Sequence, residues 1–298
     1  MILGILAGVG SAALWAVTSS LMAASAPRVD TLSMNAIRYI WGTIAVLMLA
    51  AIGSSLGYIR FMEIEIVLAL IISSVIGLVI GDSVYVGALR RLGLTRAFTV
   101  SLGVFIVLTY LLAIFWVDER VTLWAAGGTI LVLVGVYSVA NLNKEEPSQE
   151  INSLKNESKR GWGLLLLASL LWAIATVWLR DAANGEDVLA VAALRVPAAG
   201  VVLMGLATVS QRSDLRRWVI SKRDHTILFF AGILGAGAAT ILFIVAIQEV
   251  GAGRAAVTTA IAPIFAVFLG VVFLKEKLNK RILFGVLIAS AGIILLGI

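Results

Sequence analysis

Residues 64–89 read IEIVLALIISSVIGLVIGDSVYVGAL, a run of 26 residues whose only acids are Glu65, near its start, and Asp82. At 1.5 Å per residue such a run exceeds the roughly 30 Å hydrocarbon core of a bilayer, which needs about 20 apolar residues. Backbone in lipid has to satisfy its own hydrogen bonds, so an open segment of this kind crosses as a helix. A membrane barrel would alternate polar and apolar positions, and this run does not.

The same reading extends outward to the whole chain. Further spans are expected at Ile2 to Ala24, Ser33 to Ile52, Thr95 to Val117, Val121 to Asn141, Gly161 to Leu179, Val188 to Val209, Thr226 to Ile247, Gly253 to Leu274 and Arg281 to Ile298. Composition agrees: 61% of the 298 residues are hydrophobic and only 13% charged, against roughly 25% charged in soluble domains. Too few polar side chains are present to clothe a soluble fold, so the expected class is an all-α integral membrane protein with ten transmembrane helices.

Offsetting the chain by 157 positions lays Leu14-Trp15-Ala16 on Leu171-Trp172-Ala173, Asp30 on Asp187, Arg38 on Arg195 and Glu119 on Glu276. An offset of 158 lays Gly93 on Gly251 and Arg96-Ala97 on Arg254-Ala255. Register kept over five spans marks a tandem duplication. Residues 1–141 and 161–298 form the two copies and the polar stretch 142–160 links them. Five spans is an odd number, so the second copy enters the membrane from the opposite side, and the ten helices are expected as two inverted five-helix repeats, a plan characteristic of secondary transporters.

Loop charges set the orientation. Seventeen of the 23 basic residues fall on one side of this topology, four on the other (Arg60, Arg120, Arg180 and Arg254), and Arg38 and Arg195 lie within spans. Positive loops stay in the cytoplasm. The basic loops and the 142–160 linker are therefore expected inside, both termini outside, and the protein in the cell membrane. Spread over many short loops, these cations form no patch for nucleic acid.

The chain resembles the drug/metabolite transporter superfamily, in particular its ten-span proteins with two EamA-type repeats. The likeness is carried by Gly93-Leu94-Thr95-Arg96-Ala97 running to Trp116-Val117-Asp118-Glu119-Arg120, and by Gly251-Ala252-Gly253-Arg254-Ala255 running through Ala262-Pro263 to Lys275-Glu276-Lys277. Arg38 and Arg195 match an arginine found early in the second span of each repeat. The resemblance implies transport of a small organic metabolite, amino acids and related solutes among the candidates. The chain departs from the pattern twice: Phe105 stands near where the second copy has Pro263, and many similar proteins keep their termini in the cytoplasm.

Arginine inside a span costs several kcal/mol unless it is paired or wetted. Arg38 lies roughly 8 Å into its span and Asp82 roughly 12 Å in from the same face, so contact between the second and third helices would pair them. Arg195 lacks such a partner, because Thr240 stands where the repeat would place the acid. It is left to bind a substrate carboxylate or phosphate, or else to snorkel or bond carbonyls at a helix end. Asp82 is a proton carrier if free and a structural anion if paired. Trp15 and Trp172 sit at equivalent depths half-way across, as cavity walls or core packing, and Tyr85 shares the helix face of Asp82. These six residues are the substrate-pathway candidates, with Pro263 as a hinge or static bend in the ninth span. His225 reads as a solvated loop residue.

Cysteine is absent and His225 is the only histidine, so no metal site or cofactor is expected. HExxH, GxSxG and phosphate-loop patterns are missing as well, and the chain is not expected to be an enzyme. The expected function is secondary active transport by alternating access, in the exporting direction. Its partners would be a small-molecule substrate, membrane lipid, and a coupling proton or counter-solute. The alternatives are a channel for small solutes or an intramembrane enzyme using Asp82.

Overall fold

The structure is a computed structural model that describes residues 1–117, 151–210, 220–259 and 280–296, with scattered positions in 124–138 and 262–272. The described residues are overwhelmingly helical and contain no strand. Helix α1 spans Ile2–Ser25, α2 Thr31–Ile52, the short α3 Leu56–Ile59, α4 Ile64–Leu92 and α5 Leu94–Val117. In the second copy, α6 spans Ile151–Ala183, α7 Val188–Ser210, α8 Lys222–Val250, α9 Ala252–Thr258 and α10 Lys280–Leu296.

Seven helices among the described residues are long and apolar enough to cross a membrane: α1, α2, α4, α5, α6, α7 and α8. Six of them match an expected span within a few residues at each end, and α6 contains the expected span Gly161 to Leu179 but begins earlier. The expected span Val121 to Asn141 falls largely outside the described residues, whereas α9 occupies the start of the expected span Gly253 to Leu274, whose later part is described only at scattered positions. Helix already begins at Ile151, within the stretch 142–160 expected as a polar linker, and continues into the membrane segment, giving α6 a length of 33 residues. Helix formation needs no apolar side chains where water can solvate the flanks, so polarity marked the membrane boundary rather than the helix boundary.

The chain punctuates its two copies alike. Asp30 caps α2 by accepting from the Leu32 and Ser33 amides at 3.0 and 3.2 Å, and Asp187 accepts from the Ala190 amide at 2.8 Å at the start of α7. Each satisfies donors that a helix start leaves orphaned. Gly93 (φ 77°) and Gly251 (φ 86°) break the chain between third and fourth helices, in a backbone region closed to most residues with a Cβ. Ahead of these breaks, Arg90 donates to the Val29 carbonyl, and its counterpart Gln248 donates to the carbonyls of Ala183 and Glu186 at 2.6 and 2.8 Å.

Packing follows the duplication. The second helices, α2 and α7, lie against each other; α1 packs on α8, and α6 packs on α4. The first helix of each copy thus rests on the third helix of the other. Helices α4 and α8 each contain a π-helical stretch, Val75–Gly81 and Gly232–Ala239, which begin 157 positions apart. Lipid offers no hydrophobic drive between helices, so close approach and polar bonds do that work. A Cβ on Gly42 would meet the Ala236 Cβ at 2.6 Å. Ser11 donates to the Ala239 carbonyl at 3.0 Å, Ser74 to the Arg195 carbonyl at 2.6 Å and Ser169 to the Ser101 carbonyl at 2.9 Å.

Candidate functional site

Where the first and third helices of the two copies meet, the packing leaves an internal cavity of about 120 Å³. A water needs roughly 10–15 Å³ of such space, so the cavity has room for several waters or one small solute. Trp15, Arg38, Asp82, Tyr85, Trp172 and Arg195 all line it. Pro263 lies outside the described residues.

Asp82 begins the α-helical turn after the first π stretch, beside Gly81. Four side chains converge here. Arg38 and Asp82 form the expected ion pair, with their side chains 7% and 14% exposed. Tyr39 donates its hydroxyl to Oδ2 at 2.8 Å, and the Trp172 indole N–H donates to Oδ1 at 2.9 Å. The last bond joins the first helix of the second copy to the third helix of the first. Room for it comes from glycine: a Cβ on Gly81 would stand 2.8 Å from the Trp172 ring. The Arg38 guanidinium also lies over the Tyr39 ring, 4.7 Å from its centroid, an attractive cation–π geometry.

Arg195 has the equivalent place in α7 and, among the described residues, no such partner. Its side chain is 4% exposed, and Nε and Nη1 are buried without a hydrogen-bond partner. Thr240, at the counterpart of Asp82, turns its hydroxyl to the Gly235 carbonyl at 3.3 Å. The reading of Arg195 as a residue snorkelling to an outer face does not match this placement, because the residue is buried and lines the cavity.

The walls are aromatic. Trp15 lies 4.7 Å from Phe243 and Trp172 lies 5.1 Å from Tyr85, centroid to centroid, and Phe105 stands 6.4 Å from both Trp172 and Phe243. Phe243 is Tyr85 displaced by 158 positions, so one Trp–aromatic pair is repeated across the two copies. Tyr85 itself donates to Ser19 at 3.2 Å. Sequence reasoning overlooked Tyr39, Phe105 and Phe243 as wall or ligand residues. The offset that matched Trp15 to Trp172 would have found Phe243; nothing in an apolar helix marks Tyr39 or Phe105.

Away from the cavity, the loop after α1 is tied to the start of α8. Arg28 Nη2 lies 2.6 Å from Asp224 Oδ1 and its Nε 3.0 Å from Oδ2, while Ser25 and Ser221 donate to the same carboxylate at 3.1 and 2.7 Å. The carboxylate raises the Arg28 guanidinium above its ordinary pKa. His225 is not a loop residue: it sits in the first turn of α8 with its ring edge-on to Trp41 at 5.8 Å. Groups of three or more potential metal ligands are absent among the described residues.

A helical membrane fold with a cavity between two sequence copies defines a class, and the comparisons with known proteins narrow it. The chain belongs to the EamA-like transporter family, whose model matches residues 2–141 and again 159–298. It is similar to an uncharacterized transporter of Archaeoglobus fulgidus, 27% identical over 235 residues that cover 78% of this chain and 77% of that protein. It is also similar to the uncharacterized transporter YoaV of Bacillus subtilis, 21% identical over 179 residues covering 60% and 58%. Among solved structures, a protein crystal structure 17% identical in sequence superposes with a TM-score of 0.75, over 98% of this chain and 97% of that one, and so shares the fold. The chain is a multi-pass membrane protein of a transporter family, not of an enzyme family.

Proposed function

We propose that the protein is a secondary active transporter that moves a small organic metabolite by alternating access. In this reading ten helices form two inverted five-helix repeats, residues 1–141 and 161–298, which rock about the cavity. The basic loops and the 142–160 linker face the cytoplasm, both termini face outward, and the cell exports solute in exchange for protons or a counter-solute. Amino acids and their relatives form the first pool of candidates.

One observation carries the proposal: a small cavity at the junction of the copies, walled by matched residues of both, Trp15 with Trp172 and Arg38 with Arg195. Two similar units around one solute site offer nearly equivalent openings to the two sides. A channel would need a continuous polar pore instead. Proteoliposomes loaded with unlabelled solute and given labelled solute outside separate the two. The transporter is expected to show saturable uptake with transient overshoot by counterflow; unsaturable equilibration without overshoot would favour the channel.

A further inference from the structure

The cavity's charges do not balance. Among the described residues, its charged lining groups are Arg38, Asp82 and Arg195. Asp82 is neutralised by Arg38 and also accepts from Tyr39 and Trp172, which uses three of a carboxylate's roughly four acceptor sites. What remains is the single positive charge of Arg195, buried with two donors unpaired. Burying an unpaired cation is costly, and the cost is removed when an anion arrives.

We propose that the site takes a small aromatic monocarboxylate that carries no ammonium group. This rests on the transport reading above and narrows its first pool of candidates from amino acids to their relatives that lack the ammonium group. The carboxylate binds Arg195, the residue whose charge is unmatched. The aryl body packs against the wall formed by Trp15, Phe105, Trp172 and Phe243, rings from both copies that touch one another at 4.7 to 6.4 Å. A zwitterion fits the same walls but not the same charges. Its ammonium would lose water and meet an acid already engaged by three donors, with the Arg38 cation beside it. A dianion brings one charge more than the lining can neutralise, and a cation meets the unpaired Arg195. The small volume and the aromatic walls exclude large or strongly hydrated anions.

The test is a thermal-shift series on the purified protein in detergent, since a bound solute stabilises the folded state by mass action. The probes are benzoate, phenylacetate and 3-phenylpropionate, set against L-phenylalanine, phenethylamine and benzyl alcohol. At least one of the three carboxylates is expected to raise Tm, with apparent affinity at least about tenfold above that of the other three probes. Arg195→Gln is expected to abolish the shift and Arg195→Lys to retain part of it. Equal or tighter binding of L-phenylalanine, no response to any carboxylate, or an undiminished shift in Arg195→Gln would overturn the assignment. If Arg195→Gln does not fold, the ligand series on the unaltered protein decides alone. Counterflow separates this proposal from the one beneath it. Carboxylates that bind but show no counterflow would sink the transport reading and leave the site; counterflow of other solutes with no carboxylate binding would sink only the site.

Discussion

At the residue scale, Asp82 is the junction of the polar half of the cavity. Its pairing with Arg38 was legible because two ionisable residues at similar depth on successive helices have few other ways to survive in lipid. Its bonds to Tyr39 and Trp172 were not, since sequence says nothing about which way an indole N–H points between two halves of a chain. Removing the acid should expose how much the cluster holds. Asp82→Asn leaves the buried Arg38 cation without a counter-ion and is expected to destabilise the protein by about 3 kcal/mol. Replacing both partners, Arg38→Met with Asp82→Leu, is expected to cost clearly less, because no charge is left stranded. Thermal unfolding of the single and double variants in one detergent checks this; additive losses would show that the two residues do not act as a pair.

At the scale of elements, span length and hydropathy were enough to place α1, α2, α4, α5, α7 and α8, because a bilayer constrains helix length more tightly than water does. The π-helical stretches were invisible: Val75–Gly81 and Gly232–Ala239 carry the same apolar and small residues as their α-helical flanks. Their widened turns are set by what packs on them. Gly232 is where α8 comes up against the Arg38 carbonyl and the Trp41 side chain, and a Cβ there would strike backbone that cannot turn aside. Gly232→Ala is therefore expected to destabilise by about 1–3 kcal/mol. Gly205, on α7, has nothing within 4 Å of such a Cβ. Gly205→Ala should be neutral or stabilise by up to about 1 kcal/mol through reduced backbone freedom. A Gly205→Ala loss as large as that of Gly232→Ala, read from the same melts, would refute the close-approach argument.

At the scale of the molecule, duplication was legible from the offset, whereas the exchange of partners between copies was not: pairing α1 with α8 and α6 with α4 needs three dimensions. The tie between Arg28 and Asp224 is not legible either, because a loop's place in the sequence gives the side on which its cation lies but not the acid it meets. The proposed inverted arrangement makes a direct prediction. Pro27 and Asn184 are exposed, equivalent positions, 157 residues apart, in a chain without cysteine. A cysteine placed at Pro27 is expected to react with an impermeant thiol reagent only from the cytoplasmic side, and one at Asn184 only from outside. Labelling of both from one side would refute the inversion.

Thr240, standing where a second acid would be, gives the duplicated body a lopsided interior. A molecule with truly identical halves, flipped end for end, would be indistinguishable from itself, and would spend equal time in each of its two postures when bathed by the same solution on both faces. With the carboxylate at Asp82 on one flank only, the flipped molecule is a different object. Under the alternating-access reading proposed above, its idle state is expected to lean one way, and its grip on solute to differ between faces, before any gradient is applied.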